Sequence, residues 1–168
     1  MILKHLDKKF LISSFLVILI FLIDRFSKIY VIHLDKKYLV PEIFSSKYLN
    51  INLIWNDGIA FGLFSFEKDS LYNFLTIFIF IIILVIVFII NKSEGLKKYS
   101  LLMVVGGALG NFFDRVFYKA VPDFIDFHTE NFHWFIFNVA DIFISLGVFF
   151  MIFLEFTDNS TNKKNEFF

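Results

Sequence analysis

Five aspartates and the groups beside them are the residues in this sequence best suited to chemistry. Asp24 follows a long apolar run, with Arg25 next to it and Lys28 four residues on. Asn111, Asp114 and Arg115 end another apolar stretch, Asn138 and Asp141 open a third, and Asp123 and Asp126 lie in the link between those two. Ionisable groups near membrane depth are costly and mark function. Two carboxyl groups brought close cannot both ionise easily, so one keeps a proton while the other acts as base toward water. Such a pair can cut an amide without metal or cofactor. The candidate pair is Asp123 with Asp141. They are 18 residues apart, so only the fold can bring them together.

Other catalytic chemistries lack their residues. There is no Cys, which excludes thiol catalysis and Cys-ligated zinc. No Ser stands in a nucleophile-elbow pattern. His33, His128 and His133 show no metal spacing such as His-Glu-x-x-His, so they read as interfacial polar residues and no metal centre is expected. The glycine-rich run Gly106-Gly107-Ala108-Leu109-Gly110 lacks the ending of a phosphate loop and reads as close helix packing. With 16 basic and 16 acidic residues, no basic surplus points to nucleic acid.

These side chains need a scaffold, and the composition says which kind. The chain of 168 residues is 58% hydrophobic, with 27 Phe and a mean hydropathy of +0.72. A water-soluble domain could not cover that much apolar side chain. Lipid is the expected solvent. Four apolar stretches predict transmembrane helices at about 10–33, 70–90, 98–118 and 134–156. The second, Leu71 to Ile90, has 20 uncharged residues, which at 1.5 Å per residue is about one hydrocarbon thickness. The first has a basic start but no small-x-small cleavage site after its core, so an uncleaved anchor is expected.

Orientation follows from short basic flanks. Lys4, Lys8 and Lys9 precede helix one; Lys92, Lys97 and Lys98 fill the link between helices two and three; Lys163 and Lys164 sit in the tail. Four spans put these on one side, expected to be cytoplasmic, with 34–69 and 119–133 facing outward. The outer segment also holds Lys36, Lys37, Lys47 and Lys68, so the bias is moderate. Its acids, Asp35, Glu42, Asp57, Glu67 and Asp69, are weak topological signals. Within 34–69, Leu49 to Leu53 alternates apolar and polar, the period of a strand with one wet face. Trp55-Asn56-Asp57-Gly58 reads as a turn. A small outer sheet follows, with Trp55 near the headgroups. Residues 1–157 form one domain, and 158–168 a short, polar, disordered tail.

On helices, Asn111 shares a face with Asp114 and Arg115, and Asn138 with Asp141. The bland alternative to a site is hydrogen-bond glue between helices, as in a scaffold protein. A proton- or cation-coupled transporter is a third reading. It would need polar residues through the bilayer, and helix two has only Asn73 and Thr76 near one end. For Asp24 and Lys28, an ordinary helix-end pair with the lysine reaching out to the interface stands beside a supporting role.

Five blocks then match a known family in order: Asp24-Arg25-Phe26-Ser27-Lys28, Asn56-Asp57-Gly58-Ile59-Ala60-Phe61-Gly62, Gly106 through Arg115, Pro122-Asp123-Phe124-Ile125-Asp126, and Phe137-Asn138-Val139-Ala140-Asp141. Together they resemble the lipoprotein signal peptidases, or signal peptidase II. The resemblance covers residues about 10 to 155. It implies an α-helical integral membrane enzyme of four transmembrane helices with a small extracytoplasmic β-cradle, in the bacterial inner membrane, with both termini cytoplasmic. Its substrates would be diacylglyceryl-modified prolipoproteins, cut just before the lipid-bearing Cys. It implies catalytic Asp123 and Asp141 and a cleft lined by Asn56, Asn111, Arg115 and Asn138. Asp24, Lys28, Gly58, Gly107, Gly110 and Asp114 would support the site. No cofactor is implied; membrane lipid is the surrounding partner, and a monomer is expected. Two positions depart from the family pattern: Pro122 stands where Val is usual, and Ile59 where Ala is common.

Overall fold

A computed structural model describes residues 8–38, 43–58, 69–129 and 132–165, with side chains described at 8–38, 43–58, 72–129 and 132–157. Lys4, Glu42, Ile59, Ala60, Phe61, Gly62, Glu67 and Lys68 lie outside the described residues, as do the side chains of Asp69, Lys163 and Lys164.

Among the described residues, four helices are long and apolar enough to cross a membrane. They are α1 (Lys8–Tyr38), α2 (Asp69–Ile90), α3 (Gly95–Tyr118) and α4 (Val139–Asn165). Large apolar side chains stay uncovered along them, among them Phe15, Phe74, Phe88 and Phe153, each more than half exposed. That surface is stable only against lipid. α3 is the central helix and packs on α1, α2 and α4. Ile83 and Ile90 of α2 bury against Leu101, Leu102 and Val105 of α3.

The small residues of α3 set its distance from its neighbours. A Cβ at Gly107 would lie 2.5 Å from the carbonyl oxygen of Ala140 in α4, and one at Gly110 would collide with the Asp24 carboxylate of α1. Gly107 thus fixes how close the start of α4 sits to α3. Gly110 leaves room for a buried carboxylate between helices.

Between the helices lie β1 (Phe44–Ser45), β2 (Leu49–Asn56), β3 (Val121–Thr129) and β4 (Phe132–Phe137), forming one antiparallel sheet in the order β1-β2-β3-β4. The chain places this sheet at the end of the bundle where α1 and α3 finish and α2 and α4 begin. The alternating run Leu49 to Leu53 is a strand, as its period predicts, and continues to Asn56.

Several expectations need correction. Half the sheet comes from 121–137, not from the 34–69 region. The expected start of helix four at 134 falls inside β4, because Phe132–Phe137 pairs with β3 and the helix starts only after Asn138. An aromatic and β-branched run suits either structure until its partner strand is known. α1 extends to Tyr38 instead of ending near 33, so Asp24 and Lys28 lie well inside it and are not a helix-end pair. The segment 158–165, read as disordered tail, continues α4; no Gly or Pro interrupts it.

Pro122 fits β3 for a positional reason. β4 pairs with β3 only from Ile125 to Thr129, so at Pro122 the strand has β2 on one side and no ladder on the other. A proline is tolerated where no donor is needed. Lys119, in left-handed backbone at φ 58°, ends α3 just before this strand.

Candidate active site

Asp123 and Asp141 line one cleft of about 510 Å³, together with Asn56, Asn111, Arg115 and Asn138. All six residues proposed from sequence for the cleft therefore meet. Four parts of the fold deliver them. β2 ends on Asn56; α3 carries Asn111 and Arg115; the β3–β4 hairpin brings Asp123 to the N-terminus of α4, where Asn138 and Asp141 stand.

Asn138 connects the two aspartates. It sits immediately before α4, and its side-chain oxygen accepts from the Asp141 backbone N–H at 3.2 Å. Asp141 Oδ2 reciprocally accepts from the Asn138 N–H at 3.1 Å. This is a capping box, here with Asn and Asp, and it satisfies two helix-end donors. The remaining Asn138 group, Nδ2, donates to Asp123 Oδ1 at 2.6 Å. The side chain that starts the helix thus tethers one carboxylate and locks the other.

Each aspartate has a second asparagine. Asn56 Nδ2 donates to Asp123 Oδ2 at 2.9 Å, while Asn56 Oδ1 accepts from Gly58 N–H at 3.0 Å. Asn111 Nδ2 donates to Asp141 Oδ1 at 2.8 Å, while its oxygen accepts from Lys28 Nζ at 2.8 Å. In all three asparagines the oxygen is engaged elsewhere, so the amide nitrogen must face a catalytic candidate. Arg115 donates to the Asn111 carbonyl at 3.2 Å and the Gly58 carbonyl at 3.4 Å. Its Nε is buried and has no partner among the described residues.

Behind the cleft lies a buried charge cluster. Lys28 Nζ reaches Asp24 at 2.9 Å, Asp114 Oδ2 at 2.7 Å and Asn111. Arg25 spans both carboxylates, at 2.5 Å to Asp114 Oδ1 and 2.8 Å to Asp24. Lys28 is 1% exposed and both aspartates 0%. The lysine therefore does not reach out to the interface: α1 runs past it, and two carboxylates hold it inside. Asp24 Oδ1 also accepts from the Ala140 N–H at 3.0 Å, capping α4 from another helix. Arg25 was absent from the site residues expected from sequence. Its adjacency to Asp24 was the available signal.

Outside the cleft, Asp126, His128 and His133 come together, although sequence read the histidines as separate interfacial residues. No sequence spacing marks them, because a chain reversal brings them into contact.

Burial is the main reason the Asp123 carboxyl is raised from its ordinary 3.8 to about 6. The Asn56 amide opposes the rise, the charge of Asp141 adds to it, and Asn138 and Lys28 oppose it. In the unfolded chain the group would titrate near its ordinary value. The folded protein therefore binds the extra proton, whose stabilising contribution is full below 3.8 and is lost as pH rises through about 6. Wild-type protein should lose stability relative to Asp123→Asn between about pH 4 and about pH 7. Unfolding in detergent at several pH values checks this; parallel curves for the two proteins would contradict it.

The comparisons agree with this architecture. Residues 16–157 match the family described as signal peptidase (SPase) II. The chain is 46% identical over 160 residues to the lipoprotein signal peptidase of Pelagibacter ubique (strain HTCC1062), covering 94% of this chain and 96% of that one. It is 38% identical over 143 residues to the enzyme of the same name from Francisella tularensis subsp. novicida (strain U112), covering 82% and 86%. A solved bacterial membrane enzyme superposes with a TM-score of 0.74 at 30% identity, covering 89% of this chain and 90% of that one. A four-helix membrane fold with this sheet, matched over nearly its whole length, places the chain in the signal peptidase II family of membrane peptidases.

Proposed function

We propose that the chain is an aspartic endopeptidase that removes signal peptides from diacylglyceryl-modified prolipoproteins, with Asp123 and Asp141 as its dyad. The observation that carries the reading is Asn138, which binds one aspartate through its amide and caps the other at the same helix start. One carboxyl keeps a proton and the other takes one from a water as the water oxygen attacks the scissile carbonyl carbon. The protonated carboxyl donates toward the developing oxyanion. Proton transfer to the leaving nitrogen then lets the C–N bond break. The two groups titrate as a pair.

The cleft walls suit the substrate class. Phe137, Ile142 and Leu146 give an apolar flank for acyl chains beside the polar end. Arg115 Nε, without a hydrogen-bond partner among the described residues, offers a donor for a peptide carbonyl. Lys8, Lys9, Lys92, Lys97 and Lys98 flank the end opposite the sheet, which supports cytoplasmic termini and a cleft at the outer face of a bacterial inner membrane. The transporter reading has no support from the relatives, which are named as peptidases.

A purified-protein assay on a lipobox peptide carrying diacylglyceryl-Cys tests the proposal. Mass spectrometry should find one cut, on the amino side of the modified Cys, unaffected by serine-directed reagents. An intact peptide after incubation with well-folded protein would overturn it.

A further inference from the structure

Asp126, His128 and His133 have no part in the proposed peptide cleavage. Asp123 and Phe127 of β3 line the cleft. Asp126 and His128 alternate with them, so they leave the other face of the strand. His133 is the cross-strand partner of His128, at a register shift of the hairpin. The three side chains therefore converge. His133 Nδ1 lies 2.9 and 3.1 Å from the two Asp126 oxygens, and the imidazoles stack with centroids 5.1 Å apart. One potential ligand atom from each residue lies within 4.8 Å of the other two.

A second observation points to a ligand. His128 Nδ1 is buried and has no hydrogen-bond partner among the described residues. Leaving such an atom unmet is unfavourable. Asp126 is 2% exposed, whereas the His133 side chain is 54% exposed. The group is thus anchored on one side and open to solvent on the other.

We infer that Asp126, His128 and His133 bind a divalent transition-metal ion of the zinc class, with water completing the coordination. Two imidazole nitrogens and one carboxylate oxygen suit zinc. They do not suit calcium or magnesium, which take oxygen ligands in larger number. Ligands at about 2.0–2.2 Å from an ion lie roughly 3.3 Å apart in a tetrahedron. The exposed His133 side chain can turn by the small amount needed. The ion would join β3 to β4 near the tip of the hairpin that presents Asp123, acting as a clamp and taking no part in peptide cleavage.

Tag-free protein, stripped with a chelator and exchanged into chelator-free detergent buffer, provides the test. Titration with Zn²⁺ by calorimetry should show one equivalent bound. Co²⁺ should give the visible absorption of a four-coordinate site, bleached by added Zn²⁺. Zn²⁺ should raise the unfolding temperature of wild type. His128→Gln and His133→Gln should each lose at least about tenfold in affinity, while unfolding at the temperature of stripped wild type. His133→Gln changes an exposed side chain, so it keeps the test decisive if the other variant folds poorly. Absence of the Co²⁺ signal in wild type, or undiminished Zn²⁺ binding by His133→Gln, would overturn the assignment.

Discussion

Replacing Asp141 or Asp123 with Asn should lower cleavage of a diacylated lipobox peptide by at least about 10³-fold, with the protein still accumulating in the membrane. The loss has two physical sources. An amide cannot act as the base toward water or carry the proton that the proposed dyad would share. It also fits the surrounding hydrogen bonds badly. Both Asp123 oxygens receive amide protons, from Asn56 and Asn138, and both Asp141 oxygens receive protons, from Asn111 and the Asn138 backbone. An asparagine would turn an NH₂ group toward a donor at either position. The neighbours cannot simply flip, because the oxygens of Asn56, Asn111 and Asn138 are held by Gly58, Lys28 and Asp141 respectively. Relief from burying a charge offsets part of this cost, so the variants should remain folded. Single-turnover assays at matched protein levels decide the matter. Wild-type rates in either variant would remove the dyad from the mechanism.

The second large effect is expected at Lys28, through stability. Lys28→Met should destabilise the protein by roughly 3–5 kcal/mol, because it breaks a buried ion cluster on one side only. Against a total stability of order 5–15 kcal/mol, that is a severe loss. Two cations and two carboxylates now balance one another, and all three ammonium protons are used. Without Lys28, Asp24 and Asp114 would share Arg25 alone. Adding Asp114→Asn to Lys28→Met should restore part of the stability by removing the surplus negative charge. Simple loss of side-chain packing would give no such rescue. Any folded Lys28→Met protein should also cleave slowly, since Asn111 loses the bond that points its amide at Asp141. Thermal unfolding in detergent reads the first effect and peptide cleavage the second. A double variant no more stable than Lys28→Met would rule out charge imbalance as the cause.

How much of this fold is legible in the chain follows the range of each interaction. Leu71 to Ile90 is a membrane span because of its own length and apolarity, and no neighbour is needed to see it. The period-two alternation at Leu49 to Leu53 is equally local. The cap of α4 was half legible: Asn138 and Asp141 stand at capping-box spacing, but an apolar run reaching back to Trp134 hid the helix start. That run is β4, and only its pairing with β3 shows it. The burial of Lys28 was hidden for a similar reason, since its carboxylate and amide partners on α3 lie more than 80 residues away.

By itself, then, the sequence determined the membrane as solvent, the four spans, one strand and, through five ordered motifs, the family, and it singled out Asp123 and Asp141 as the candidate pair. Each depends on residues near one another in the chain or on motif order. Tertiary structure decided which side chains meet. It set Asn138 between Asp123 and Asp141, sank Lys28 and Arg25 among buried carboxylates, and gathered Asp126, His128 and His133 on the far face of β3. The physical reason is that helix packing and strand register set these contacts. A register slip of one residue would turn Asp123 out of the cleft and Asp126 into it.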